Sequence, residues 1–164
     1  MIFVTIGSFA PFDRLVEAVD ALAADHPDEE WFAQIGEGSY LPRHMEYARY
    51  VDKQEFDERI RTADALIGHA GMGTISGALA ARKPLIVMPR DNARGEHVDT
   101  HQFETADLFE NGGHVLVARE AGELVALWPQ LATFDPKPRV PTPEAVGARV
   151  GTFLQALVDE RRAR

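Results

Sequence analysis

The chain has 164 residues, 45% of them apolar, with a net charge of −9 and no cysteine. That length suits one domain with one core and falls short of two Rossmann-like lobes, at about 100–200 residues per domain. The acidic balance excludes a nucleic-acid surface of clustered Lys and Arg. The missing cysteines exclude disulfides and thiolate chemistry, and no run of about 18 apolar residues is present to span a bilayer.

Ile2 to Ile6 is a short β-branched run closed by Gly7-Ser8 and reads as a buried strand. It lacks the basic flank of a signal peptide, so a cytoplasmic protein is expected. Pro11 stands where a helix can begin, and Phe12, Leu15, Val16, Val19 and Leu22 recur at helical spacing until His26-Pro27. Trp31 to Ile35 is a second strand, closed by Gly36-Glu37-Gly38, and Tyr47 to Val51 is a less regular third. Lys53 to Thr62 is a polar helix with Phe56 and Ile60 on one face. Ala65-Leu66-Ile67 is a strand running into a glycine-rich turn, and Thr74 to Arg82 is helical. Leu85 to Met88 is a strand, Val98 to Glu110 a helix ended by Asn111-Gly112-Gly113, Val115 to Val117 a last strand, and Glu123 to Leu127 a short helix.

Strands alternating with helices over short connections predict right-handed βαβ units. The expected fold is α/β, a single Rossmann-like three-layer domain with a mostly parallel sheet over residues 1–128. Residues 129–143, with five prolines, read as a stiff crossing segment. Residues 144–164 carry a C-terminal amphipathic helix with Val146, Val150, Phe153, Leu154 and Leu157 as its stripe, packing on the domain or on a partner.

The chemistry concentrates in two stretches. In Ile67-Gly68-His69-Ala70-Gly71-Met72-Gly73-Thr74-Ile75 a strand feeds a glycine turn that opens a helix, at the strand end where open α/β sheets bind ligands. Gly71 and Gly73 let backbone approach an anion, the helix's first turn offers free N–H groups and a positive dipole end, and Thr74 adds a hydroxyl. The pattern is neither a P-loop nor a dinucleotide fingerprint, and the glycines alone fit a tight packing turn equally well. His69 can add a hydrogen bond, or a charge if an anion raises its pKa. The second stretch, Met88 to Gln102, follows the next strand and should share the same rim. The two Arg, two His, Glu96 and Gln102 together suit a polyhydroxylated or charged ligand, but Asp91, Asn92, Arg94 and Asp99 taken singly fit a solvated loop and a capped helix start better; that leaves Arg90, Glu96, His97, His101 and Gln102. His97 and His101 stand four apart without a third ligand pattern, so no metal is expected. No catalytic residue stands out: there is no nucleophile elbow and no distinct carboxylate pair.

Taken together, His69 to Ile75, Lys83 to Arg90, Gly95-Glu96-His97 and His101-Gln102 resemble the C-terminal, donor-binding domain of family 28 glycosyltransferases. The opening Phe3 to Ser8 with Phe12-Asp13-Arg14-Leu15 is similar to one branch, the small cytosolic subunits of two-part transferases. That branch includes the dolichol-linked chitobiose-forming catalytic subunit and bacterial exopolysaccharide subunits. The resemblance implies half of a GT-B enzyme and an inverting transfer from a UDP-sugar, with no cofactor or metal. A membrane-anchored, acceptor-binding subunit would hold a lipid-linked glycan acceptor, contribute the base and keep this chain peripheral to the membrane.

By the same resemblance, Gly7, Ser8, His69, Gly71, Met72, Gly73 and Thr74 would face the diphosphate. Gln34 and Gly36 would lie near the nucleoside, and Arg90, Glu96, His97, His101 and Gln102 near the donor sugar. Arg90 would suit a uronic acid carboxylate, or else the diphosphate or a nearby acid. Many relatives grip the ribose with a Glu where this chain has Gly77, so ribose recognition must come from elsewhere. Two other readings are a non-catalytic sugar-nucleotide-binding subunit that activates a separate transferase, and an epimerase, which normally holds both lobes in one chain.

Overall fold

The computed structural model describes residues 1–139; the expected helix over 144–164 and the end of the proline-rich segment lie outside them. Strands β1 (Ile2–Thr5), β2 (Trp31–Gln34), β3 (Glu46–Ala48), β4 (Ala65–His69), β5 (Leu85–Met88) and β6 (Leu116–Val117) form one sheet in the order β3-β2-β1-β4-β5-β6. Every pairing in it is parallel. Helices α1 (Asp13–Asp25), α2 (Lys53–Thr62), α3 (Met72–Ala80), α4 (His101–Asn111) and α5 (Ala121–Leu131) complete the three layers.

The two cores follow from the alternation of side chains along each strand. Ile2, Val4 and Ile6 of the first strand region, with Ile67, Ile86 and Met88, pack against Leu15, Val19 and Leu22 of α1 and Leu124 and Leu131 of α5. Phe3, Leu66, Leu85 and Val87 point to the other face, against Ile60, Ile75, Ala106 and Phe109 of α2, α3 and α4. Both faces are covered, so the central strands are apolar at successive positions, as parallel sheets require.

Several boundaries differ from expectation. The third strand is Glu46–Ala48, placed by its register with Phe32 to Gln34. Helix α5 continues through Pro129 to Leu131, so the crossing segment cannot begin at 129. Trp128 stacks on Trp31 with ring centroids 5.0 Å apart, and Leu131 is buried. These contacts outweigh the hydrogen bond that Pro129 cannot make. Helix α4 starts only at His101, and part of the preceding segment is a 3-10 turn, Asn92–Arg94, capped by the Asp91 carboxylate accepting the Ala93 N–H.

The strand order positions the site. From β1 the chain builds outward to β2 and β3, then crosses back to place β4 on the other side of β1. At such a switch point the loops leaving the two neighbouring strands turn apart and leave a crevice above their C-terminal ends.

Candidate functional site

A cleft of about 610 Å³ opens at that crevice. Gly7 and Ser8 after β1, Gln34 at the end of β2, His69 at the end of β4, and Gly73 and Thr74 in α3 all line it. The fold thus brings together residues that the sequence separates by more than sixty positions. The opposite wall is α2, through Lys53, Phe56, Asp57 and Ile60. Sequence reasoning missed that wall, because a polar helix with one apolar pair looks like an ordinary solvated element. The Phe56–Ile60 pair was its only signal.

His69 sits in a slot between two loops. An ideal Cβ on Gly7 would lie 2.6 Å from the imidazole Cε1, and one on Gly71 would overlap Nε2. Gly7 also has φ +73°, a left-handed conformation that costs other residues strain. Both glycines therefore serve the imidazole as well as any anion. The ring's Nδ1 lies 3.4 Å from the Thr74 hydroxyl. Burial, reinforced by the nearby Arg90 charge, pulls the His69 pKa down to about 4. The free protein therefore presents a neutral imidazole, able to donate one hydrogen bond and accept another, and not the cation that an anion site could have carried.

The expected result in an NMR titration is a His69 ring midpoint of about 4, against 6.5 for an ordinary histidine. The sign for stability follows. Between those values the unfolded chain binds a proton that the folded chain refuses, so this residue makes stability fall as pH drops through that window. A midpoint near 6.5 would contradict the half-buried, neutral ring.

Helix α3 begins two residues earlier than its periodicity suggests, which puts Met72, Gly73 and Thr74 in its first turn. The N-cap is Gly71, with no side-chain cap and no acidic residue in that turn. Ile75 N–H bonds back to Gly71 O, while the turn's earlier N–H groups stay free of such partners. A Cβ on Gly73 would meet nothing within 4 Å, so open space lies beside that backbone. Met72 is half-exposed and does not line the cleft. Gln34 is buried at 4% exposure; its Nε2 donates to Gly7 O at 3.4 Å, while Oε1 has no protein partner. Buried polar atoms are almost always satisfied, so this acceptor at the cleft wall is an exception. Gly36 lies off the cleft and is engaged by backbone: its N–H donates to Arg49 O and its carbonyl accepts from Arg49 Nη1.

The second stretch behaves differently from expectation. Arg90 is 1% exposed, and its guanidinium donates to the carbonyls of Ile6, Ala10, Pro11 and Glu96. It stacks over Phe12, 4.6 Å from the ring centroid. Burial pulls its pKa down to about 10, partly offset by Glu96, which leaves it charged at neutral pH. Arg90 therefore braces the β1–α1 loop from behind, and the expectation that it faces a donor sugar is corrected.

Glu96 is equally committed, to a two-pronged pair with Arg14 at 2.7 and 2.8 Å and to the Asp91 N–H. Burial pushes its carboxyl up, but Arg14 and the Asp91 N–H outweigh that and hold it below the usual range. Gln102 is buried, with Oε1 accepting the Arg90 backbone N–H. The common cause is that a carboxylate, guanidinium or amide turned into a tight loop must find partners there. His97 and His101 remain at the rim: His97 stacks on Phe9, which lines the cleft, and His101 packs edge-on against His97.

An all-parallel sheet with a glycine-lined cleft at its switch point defines a doubly wound α/β domain, the class that binds ligands in that crevice. The model of the glycosyltransferase family 28 C-terminal domain matches residues 1–138, and the chain belongs to that family. It is 30% identical over 129 residues to mouse "UDP-N-acetylglucosamine transferase subunit ALG13", covering 69% of this chain and 10% of that protein. It is 31% identical over 87 residues to the Prochlorococcus marinus "UDP-N-acetylglucosamine--N-acetylmuramyl-(pentapeptide) pyrophosphoryl-undecaprenol N-acetylglucosamine transferase", covering 51% of this chain and 23% of that one. The chain thus spans only a minor part of these relatives. The fold is shared with the NMR solution structure of ALG13, at a TM-score of 0.62 and 23% identity over 87% of this chain and 91% of that one. It also resembles a "Glycotransferase of kitacinnamycin", TM-score 0.61 and 22% identity, where it covers 80% of this chain but 34% of the other. The architecture is thus that of one half of a GT-B enzyme.

Proposed function

We propose that this chain holds the UDP-sugar donor of a glycosyltransferase. In this reading a membrane-associated partner supplies the acceptor side, and the sugar passes to a lipid-diphosphate-linked acceptor in glycan or polysaccharide synthesis. The observation that carries the reading is the uncapped first turn of α3 facing Gly7, Ser8 and His69 across one cleft. The names of the relatives support a UDP-sugar, and one of them a pyrophosphoryl lipid.

The transfer breaks the bond between the sugar's anomeric carbon and the diphosphate, and the UDP leaves with its charge increased. Free N–H groups of α3, the Thr74 hydroxyl and a neutral His69 N–H stabilise that charge where it develops, so the step asks for no metal. The acceptor hydroxyl attacks from the opposite side of the sugar, with inversion, and its proton goes to a base on the partner. Gly77 leaves α3 without a side chain for the ribose, and the lining carboxylates are Asp52 and Asp57. Asp52 caps α2 by accepting the Glu55 N–H, and Asp57 accepts from Lys53 Nζ at 2.9 and 2.6 Å, so a ribose hydroxyl would compete with Lys53 for Asp57.

Gly73→Asp tests the site. The new side chain has room, so thermal unfolding should match that of the natural chain, but its charge sits at the helix end that must receive the diphosphate. Calorimetry is expected to show UDP binding lost in the variant and transfer lost in the assembled enzyme. Unchanged UDP affinity would move the nucleotide away from this cleft.

A further inference from the structure

The sequence leaves His97 and His101 as a pair with no third ligand, and the fold supplies one. In the segment between the 3-10 turn and α4, Asp99 turns back between the two rings. Its Oδ1 lies 3.2 Å from His97 Nδ1, and the same oxygen contacts His101 Nδ1. One ligand atom from each of the three residues falls within 4.8 Å of the others. The rings meet edge-on, with centroids 4.6 Å apart, and His97 is held in place by stacking on Phe9 at 5.4 Å. His97 keeps only 10% of its side-chain exposure, while Asp99 and His101 stay open to solvent at 55% and 54%.

We infer that His97, Asp99 and His101 form a binding site for one divalent transition ion of the zinc class. Two imidazole nitrogens and one carboxylate oxygen are the ligand types such an ion prefers, and three protein ligands with solvent access leave a coordination position open. An ion would bond to all three ligand atoms at once. It would also tie the segment before α4 to the β1–α1 loop through the His97–Phe9 stack, at the rim of the cleft. Backbone hydrogen bonds hold the three residues together: the His101 N–H donates to Asp99 Oδ1 at 3.1 Å and the Asp99 N–H to His97 Nδ1 at 3.4 Å.

The site is independent of the donor-binding reading, and its test needs neither nucleotide nor partner. Tag-free protein is titrated with zinc chloride by calorimetry, and with cobalt chloride by visible absorption. The expected result is one ion per chain, with a tetrahedral-type cobalt spectrum. His101→Ala and Asp99→Asn should each weaken zinc at least about 100-fold, because even outer-shell partners of metal ligands cost roughly 10–100-fold. His44→Ala, which removes another histidine beside a carboxylate, should leave zinc binding unchanged. Gly73→Asp should also leave it unchanged while losing UDP, which separates failure of this site from failure of the cleft. Weak binding of several ions, equal in all variants, would overturn the proposal, as would no binding at all.

Discussion

Arg90→Ala is expected to destabilise the domain by about 3–5 kcal/mol, since each buried acceptor left without its donor costs about 1–3 kcal/mol. Four carbonyls, three of them in the Ile6-to-Pro11 segment, would lose their donor at once, and the Phe12 ring its stacked cation. Arg90→Lys should recover only part of the loss. An ammonium keeps the charge but cannot spread donors over carbonyls that lie on both sides of a planar fork. Urea unfolding of the two variants measures the effect. In the lysine variant, UDP-glucuronate, UDP-glucose and UDP-N-acetylglucosamine should weaken by the same factor, because the Gly7-Ser8 loop is disturbed for all of them. A loss confined to glucuronate would return Arg90 to the donor sugar and contradict its placement behind the loop.

Gly71→Ala should cost about 1–3 kcal/mol and weaken UDP by roughly tenfold or more. The backbone there, at φ −91° and ψ 139°, suits alanine, so strain is not the cause. The cost comes from a methyl group overlapping the His69 imidazole, which Gly7 hems in on the other side of its slot. This overlap gives the prediction a second arm. His69→Ala empties the slot, so the double variant should be more stable than Gly71→Ala alone, and a double-mutant cycle should show a coupling well outside additivity. Additive effects would mean that the ring does not fill the gap between the two loops.

Much of this was legible in the residues themselves. Period-2 and period-3.6 patterns are local, so the β1, β2, β4 and β5 strands, the α1 and α2 helices and the alternation that makes a parallel sheet could be read in chain order. The glycine turn before α3 was legible for the same reason: Gly71, Gly73 and Thr74 are neighbours, and the chemistry of a helix start needs no distant partner. Where a pattern was short or interrupted, local reading failed. The β3 strand is defined only by its pairing with β2, and α5 runs past Pro129 because Trp128 meets Trp31.

Only the tertiary structure decided which polar groups face the cleft. The sequence places Arg90, Glu96 and Gln102 on the right rim, yet each is turned inward to a partner: Arg90 to carbonyls of the first eleven residues, Glu96 to Arg14, Gln102 to the Arg90 N–H. The adjacency of β1 and β4, the α2 wall and the approach of Asp99 to both histidines were likewise fixed by the packing. The physical reason is common to all of them. A backbone pattern depends on residues a few positions away, but a buried guanidinium, carboxylate or amide takes whichever partner the crossing of the chain brings within hydrogen-bond reach.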